Sequence, residues 1–269
     1  MKKFLAAICA ACLLISGCGD SDEVKKIGTI KYENVTEETF NKLYSEETKR
    51  RKEELNCKYI FFNNMNNMMA ALQSGQIDMM STYESVANYI LTHNDIVEIE
   101  EPNPALTDVF CFAMLEEDVA LKKEFDDAIL KMENDGTLAA LVKTYINEFN
   151  HNETPSVIRM PTFYNNTMIK VGVTGDLPLL DYIRPDGVPA GFNTAVLAEI
   201  SKLIGKNFML VQVDSGARAI ALTSEKVDVI FWAVVPQSEN NLLKDLDKPE
   251  GVILTKPYFS DKIVHVKLR

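Results

Sequence analysis

Ala71-Leu72-Gln73-Ser74-Gly75-Gln76-Ile77-Asp78 recurs 150 residues later as Ala221-Leu222-Thr223-Ser224-Glu225-Lys226-Val227-Asp228. Each copy reads as an apolar helix end, a polar turn and an Ile/Val-Asp pair that opens a short apolar run. That pattern predicts an αβ connection, and two of them so far apart predict two similar α/β lobes. Two lobes leave a cleft between them, and a cleft is where a small molecule binds.

The flanking sequence extends both units. Ile27–Lys31 predicts a strand, and Thr36 predicts the cap of a long polar helix with Glu37 and Glu38 in its first turn. Strand Tyr59–Phe62, helix Met65–Leu72, strand Ile77–Ser81, helix Glu84–Leu91, and strands Ile96–Ile99 and Phe110–Met114 follow. Helices Leu121–Met132 and Leu138–Phe149 are separated by Gly136. Periodicity lapses over residues 150–168, where Pro155, Pro161 and Asn165-Asn166 mark a linker. The second unit runs through strand Ile169–Val173, helix Thr194–Ile204, strand Phe208–Val213, helix Ala217–Thr223, strand Val227–Trp232 and a final strand, Ile263–Leu268. Strands alternating with helices predict a mostly parallel sheet covered on both faces.

The 269 residues carry a net charge of −11. Acidic and basic side chains balance from residue 169 onward, so the whole excess falls on residues 1–168. An acidic surface argues against nucleic acid as a partner, because phosphate recognition relies on clustered Lys and Arg. At the N-terminus, Lys2 and Lys3 precede an apolar stretch from Phe4 to Ile15 and then Ser16-Gly17-Cys18. About a dozen apolar residues are too few to span a bilayer, which needs about 20, and the pattern is that of an export signal. Ile15-Ser16-Gly17-Cys18 resembles the bacterial lipobox. The expectation is a signal over residues 1–17, lipidation at Cys18, a flexible tether over 18–25, and an exported protein anchored to a membrane or the cell surface. Cys57 and Cys111 then remain, each in an apolar run; an exported compartment permits a disulfide between them, buried strand residues are the other expectation, and neither supports a metal site. Three scattered His offer no ligand set, so no metal is expected. No phosphate loop, Ser-His-Asp order or Cys-His pair occurs, so neither catalytic residues nor a cofactor are expected.

Ile169-Lys170-Val171-Gly172-Val173, Pro178, Asp186-Gly187, Gly191-Phe192-Asn193, Leu203-Ile204-Gly205 and Val227-Asp228-Val229-Ile230 together resemble the opening lobe of the amino-acid type (family 3) ABC-transporter solute-binding proteins. Lys256-Pro257-Tyr258-Phe259 resembles the segment leading into that family's hinge. Ile27-Gly28-Thr29-Ile30, Ala71–Asp78 and Asp135-Gly136-Thr137 resemble its second lobe and closing helices. The resemblance implies a two-lobed α/β fold of the periplasmic-binding-protein type II class, with a hinge between the lobes. It also implies a circular permutation: second lobe over 26–115, closing helices over 116–149, linker over 150–168, opening lobe over 169–262 and hinge strand over 263–269. Two truncated lobes fused, or lobes paired between chains, are the other orders that the residues allow.

Ligands of open α/β sheets bind beyond the carboxyl ends of strands. The cleft is therefore expected at Thr174–Leu180, Trp232–Gln237, Lys31–Thr36 and Thr82–Glu84, with Thr174, Asp176, Ala233 and Lys31 among its residues. By the resemblance, Asn240 stands where the family's carboxylate-binding Arg falls, and Val235 stands where a hydroxyl residue falls. Tyr83, with Glu84 beside it, takes the place of the ammonium-binding Asp, and Leu177 that of the stacking aromatic. Asn cannot replace a bidentate Arg–carboxylate contact, and losing a charge-assisted bond costs roughly 1.5–3 kcal/mol. Trp232 offers a stacking face or, alternatively, simply packs against a helix. Thr36 offers either a helix N-terminus for a carboxylate or a plain cap, and Arg218, within a helix, is expected in solvent.

The resemblance implies a monomeric, lipid-anchored receptor that closes on a small polar or amino-acid-like solute and presents it to the membrane permease of an ABC transporter. Two other readings stay open. One is a sensory or interaction module that has lost solute affinity. The other is a dehydratase-like enzyme, for which Glu84 and Asp176 are the available carboxylates.

Overall fold

The computed structural model describes residues 24–52, 56–100, 106–235, 242–244 and 246–269. The expected signal and Cys18 lie outside the described residues, as does Asn240. In chain order the elements are β1 (Lys25–Ile30), α1 (Glu37–Arg51), β2 (Cys57–Phe62), α2 (Met65–Gln73), β3 (Met79–Tyr83), α3 (Glu84–His93) and β4 (Val97–Glu100). There follow β5 (Leu106–Leu115), α4 (Val119–Asn134) and α5 (Thr137–Val142), the last running into a π-helical turn, Lys143–Asn147. The chain continues through β6 (Met168–Val173), β7 (Asp176–Leu177), β8 (Asp181–Ile183), β9 (Pro189–Ala190), α6 (Phe192–Ile204) and β10 (Asn207–Gln212). It ends with α7 (Arg218–Thr223), β11 (Val229–Val234), β12 (Val252–Leu254) and β13 (Phe259–Leu268).

The repeated octapeptide is the same device built twice. In each copy the closing Asp grips the first strand of its lobe. Asp78 donates its N–H to the Lys26 carbonyl at 2.9 Å and accepts from the Lys26 N–H at 2.7 Å. Asp228 makes the same pair with Lys170, at 2.9 and 2.7 Å. The turn that frees each Asp needs a left-handed residue. That residue is Gly75 (φ 72°) in the first copy and Glu225 (φ 56°) in the second, where a side chain is forced into a region that favours glycine.

Each grip fixes a parallel core of three strands, β2-β1-β3 in one lobe and β10-β6-β11 in the other. Two ten-residue strands join them. The first half of β5 pairs antiparallel with the start of β13, from Leu106–Ile263 to Phe110–Phe259. Beyond that, β5 runs into the second lobe beside β11 and β12, while β13 runs into the first lobe beside β3 and β4. The sheet is thus continuous from β10 to β2, and β5 and β13 cross between the lobes. Phe110, Phe112, Val264 and Val266 on these strands are buried, as parallel and crossing strands covered on both faces require.

α4 and α5 return to pack on α6. Phe125 of α4 lies between Phe112 (5.4 Å between ring centres) and Phe208 (5.7 Å), and Lys206 pairs with Glu124. Residues 150–167 form no strand or helix beyond an isolated bridge, Val157 to Ala190.

Three expectations shift. The strand expected at Ile77–Ser81 forms at Met79–Tyr83, because the Asp78 grip holds the first two residues in the turn. The helix expected through Phe149 leaves α-geometry after Val142. The small sheet β7-β8-β9 was not anticipated, since two- and three-residue strands carry no periodic signal.

Candidate functional site in the cleft between the lobes

The carboxyl ends of β1, β3, β6 and β11 converge with the crossing strands on a cleft of about 800 Å³, part of it open to solvent. One wall comes from Thr29–Tyr32 and Ser81–Tyr83. The other comes from Thr174, Asp176, Leu177, Ser215, Arg218, Phe231 and Ala233, and Asp108 and Ile263 form the floor on the crossing strands. An adjoining pocket is lined by Phe40, Tyr44, Tyr59, Leu243 and Leu246 and shares Tyr32, Asp108 and Asp247 with the cleft.

Eight of the expected cleft residues lie there: Lys31, Tyr32, Thr82, Tyr83, Thr174, Asp176, Leu177 and Ala233. Val235 lines the adjoining pocket instead. Thr36 is a plain cap, its hydroxyl accepting from the Thr39 N–H at 3.2 Å. Glu84 opens α3 beside a separate surface pocket, 4.0 Å from Lys262, and is not part of the cleft wall.

Trp232 corrects the expectation of a stacking face. It is fully buried with Cys111, Leu222, Val227 and Ile230. The strand continues to Val234, so Trp232 is mid-strand, and the alternation that turns Phe231 and Ala233 to the cleft turns Trp232 away. Arg218, expected in solvent, instead lies under the cleft wall. Its guanidinium sits 4.4 Å over the Trp232 ring, Nε donates to the Ser215 carbonyl at 3.0 Å, and Nη2 lies 3.5 Å from Asp247.

Across the cleft a carboxylate of each lobe faces the start of a helix of the other. Glu33, just past β1, accepts from the backbone N–H groups of Arg218 and Ala219, both at 2.6 Å, at the start of α7. Asp176, on β7, lies against the start of α2, where the Met65 backbone draws its carboxyl down against the effect of burial, and accepts from the Ser215 hydroxyl. α2 and α7 are the helices that end in the two repeats, so the contacts are pseudo-symmetric. Carboxylates suit these positions because the first N–H groups of a helix lack intrahelical partners. A third tie comes from Asp247, which accepts from the N–H groups of Glu33 (2.5 Å) and Asn34 (3.2 Å). Leu243 and Leu246 pack with Tyr32 and Phe40, and the Leu242 N–H reaches Glu47 of α1 at 3.2 Å.

The cleft is electrostatically negative. Burial pushes the Asp247 carboxyl up to about 6, against the pull of Arg218, and raises Asp176 in the same direction. The phenols of Tyr32 and Tyr83 are held far above their usual range, first by burial and next by the charge of Asp108. Tyr83 donates its hydroxyl to Asp108 at 3.0 Å. Thr174 is itself positioned from below, donating its N–H and hydroxyl to buried Asp181 at 2.8 and 2.7 Å.

Tyr32 and Glu33 fall within the expected stretch Lys31–Thr36, whereas Asp108, Asp247, Ser215 and Phe231 had no place in the sequence expectation. Asp108 had a signal, since it is the one acidic residue in the apolar strand β5. Among the described residues no three His, Cys, Asp or Glu side chains converge as a metal site would require. Cys57 and Cys111 are free thiols, Cys111 buried and pushed up to about 12 by that burial and Cys57 half-buried.

Residues 169–267 match the family of bacterial extracellular solute-binding proteins, family 3. No curated protein matches the chain. Among solved structures, the chain is similar to a ligand-binding component of an ABC-type import system from Staphylococcus aureus, solved with zinc bound. That match has 14% identity and a TM-score of 0.44 and covers 91% of this chain and 66% of the other. It is also similar to an amino-acid ABC-transporter substrate-binding protein from Streptococcus pneumoniae bound to L-arginine (12%, TM-score 0.40, 91% and 81%). An ancestral arginine-binding protein bound to arginine is a third (15%, TM-score 0.41, 91% and 84%).

Proposed function

We propose, from the family matched by residues 169–267, that this chain is an exported solute-binding protein of an ABC-type uptake system. It captures a small polar or amino-acid-like solute between its lobes and delivers it to a membrane permease, acting as a monomer tethered through lipid on Cys18. The observation that carries the reading is the cleft itself. It lies at the carboxyl ends of strands from two similar lobes that are joined by two crossing strands, and such lobes open and close about their connections. The chain order is that of a circular permutation, in which residues 26–115 are the second family lobe and 169–262 the opening lobe. Residues 116–149 are its closing helices, 150–168 join the former termini, and 263–269 are the returning hinge strand. The packing of α4 on α6 supports that assignment.

Calorimetry against amino acids, amines, peptides and sugars tests the function. Saturable binding of one class without turnover is the expected result, and product formation would favour an enzyme. A module that senses rather than transports is the second reading. The Glu33 contacts favour it, because they already satisfy the start of α7 at the cleft. A clean null across the panel would select it. Cys18→Ser should move the protein from the membrane fraction to the soluble fraction; retention in the membrane would refute the anchor.

A further inference from the structure

We propose that the solute is an organic cation with no carboxylate to be gripped, an amine or guanidinium compound seated over Asp108 between Tyr32, Tyr83 and Phe231. This inference rests on the solute-binding reading and deepens it.

The charges that face the cleft are unequal. Asp108, Asp176 and Asp247 line it, against Lys31 and Arg218. Arg218 is already committed to Asp247, to the Ser215 carbonyl and to the Trp232 face. Lys31 stands exposed at the rim. Among the described residues an incoming carboxylate would therefore find no uncommitted cation in the interior. The helix starts are closed to it as well, because the carboxylate of Glu33 holds the first N–H groups of α7 and that of Asp176 stands against the start of α2. A carboxylate-bearing solute would have to displace one of them while facing Asp108.

A cation meets the opposite environment. Asp108 is 8% exposed on the floor, and its carboxylate, together with those of Asp176 and Asp247, makes the interior attract a cationic guest. Tyr32, Tyr83 and Phe231 bring aromatic rings to the same place, and such rings attract ammonium and guanidinium groups. Burial first, and the charge of Asp108 next, keep the Tyr32 and Tyr83 hydroxyls protonated. A separate observation points to a guest with donors. Thr82 lines this cleft and is 6% exposed, yet its hydroxyl has no hydrogen-bond partner among the described residues. Buried hydroxyls are rarely left unpaired, and a donor on the solute would satisfy its oxygen. An inorganic cation fits less well, since no three ligating side chains converge among the described residues.

Titration calorimetry with matched pairs tests the inference, each pair differing by one carboxylate: agmatine and L-arginine, putrescine and L-ornithine, choline and glycine betaine. At least one bare cation should bind, with its carboxylated counterpart weaker by about tenfold or more, the scale of one charge-assisted contact. Asp108→Asn should weaken that cation by a similar factor. Thr82→Val should weaken it less and serves as the second variant should Asp108→Asn not fold. Tighter binding of the carboxylated member, or saturation by L-glutamate or a sugar with none by the cations, would overturn the inference and leave the solute-binding reading standing. No saturable binding by any of these, nor by the wider panel, would overturn both.

Discussion

Glu33 is the residue whose removal should change how the molecule behaves most without touching its core. Its carboxylate reaches from the first lobe to the N–H groups of Arg218 and Ala219 in the second, at 2.6 Å each. Opening the cleft breaks both bonds, so they count only in the closed state. Hydrogen bonds to an ionised group contribute roughly 1.5–3 kcal/mol. Glu33 is half-buried, so solvent screening places the pair near the lower end, about 2 kcal/mol. That is a shift of roughly thirtyfold in the closed-to-open ratio. Glu33→Ala should therefore populate an open form, and Glu33→Gln, which keeps one oxygen acceptor, should lie between. Single-molecule energy transfer between dyes on exposed Lys42 of α1 and Lys202 of α6 reads the distance between lobes, and small-angle scattering reads the overall dimension. The counterpart Asp176→Asn should act in the same direction, because it removes the charge that faces the start of α2. If the distance distribution and the scattering of Glu33→Ala match the wild type while its melting curve is unchanged, the two contacts do not hold the lobes together.

Other consequences follow from the same contacts. Trp232→Ala should cost about 3–5 kcal/mol in urea unfolding, because it removes a fully buried indole and strips Arg218 of its stacking partner; a loss below about 1 kcal/mol would restore the idea of a cleft-facing Trp. Glu225→Gly should stabilise the second lobe by roughly 0.5–1 kcal/mol, since the left-handed strain exceeds the added freedom of the unfolded chain; a destabilised variant would refute it. Two buried groups should make stability depend on pH with opposite signs. Asp247, raised from 3.8 to about 6, contributes stability that is complete below about pH 4 and lost as pH rises through 6. His265, lowered from 6.5 to about 4, contributes stability that is present above about pH 6.5 and lost as pH falls through 4. Each shift is worth up to about 3 kcal/mol, so the two nearly offset each other in the wild type. Relative to wild type between pH 6.5 and 4, His265→Gln should gain stability on acidification and Asp247→Asn should lose it; parallel urea midpoints for all three proteins would sink both assignments.

Much of this architecture is local, and local architecture is legible in a chain. The octapeptide repeat is a helix end, a left-handed turn and an Asp that grips a strand, and all of that is written within a few residues. Lys31, Tyr83, Thr174, Asp176, Leu177 and Ala233 line the cleft for a similar reason, since residues just past a strand's carboxyl end face it. Trp232 was misplaced because its orientation depends on where β11 stops, and boundaries are the weakest part of any periodic signal. Arg218 was misread because its helix looks exposed until Trp232 and Asp247 arrive from elsewhere in the second lobe.

The sequence by itself therefore determined the two α/β units, the repeat that defines them and the rim of the space between them. Tertiary structure decided which acids meet there. Glu33 and the start of α7 are separated by 185 residues, and nothing local couples them. Their contact exists because β5 and β13 cross and bring the two lobes face to face. Charge is a property of residues, but a negative cleft is a property of the pairing that gathers them.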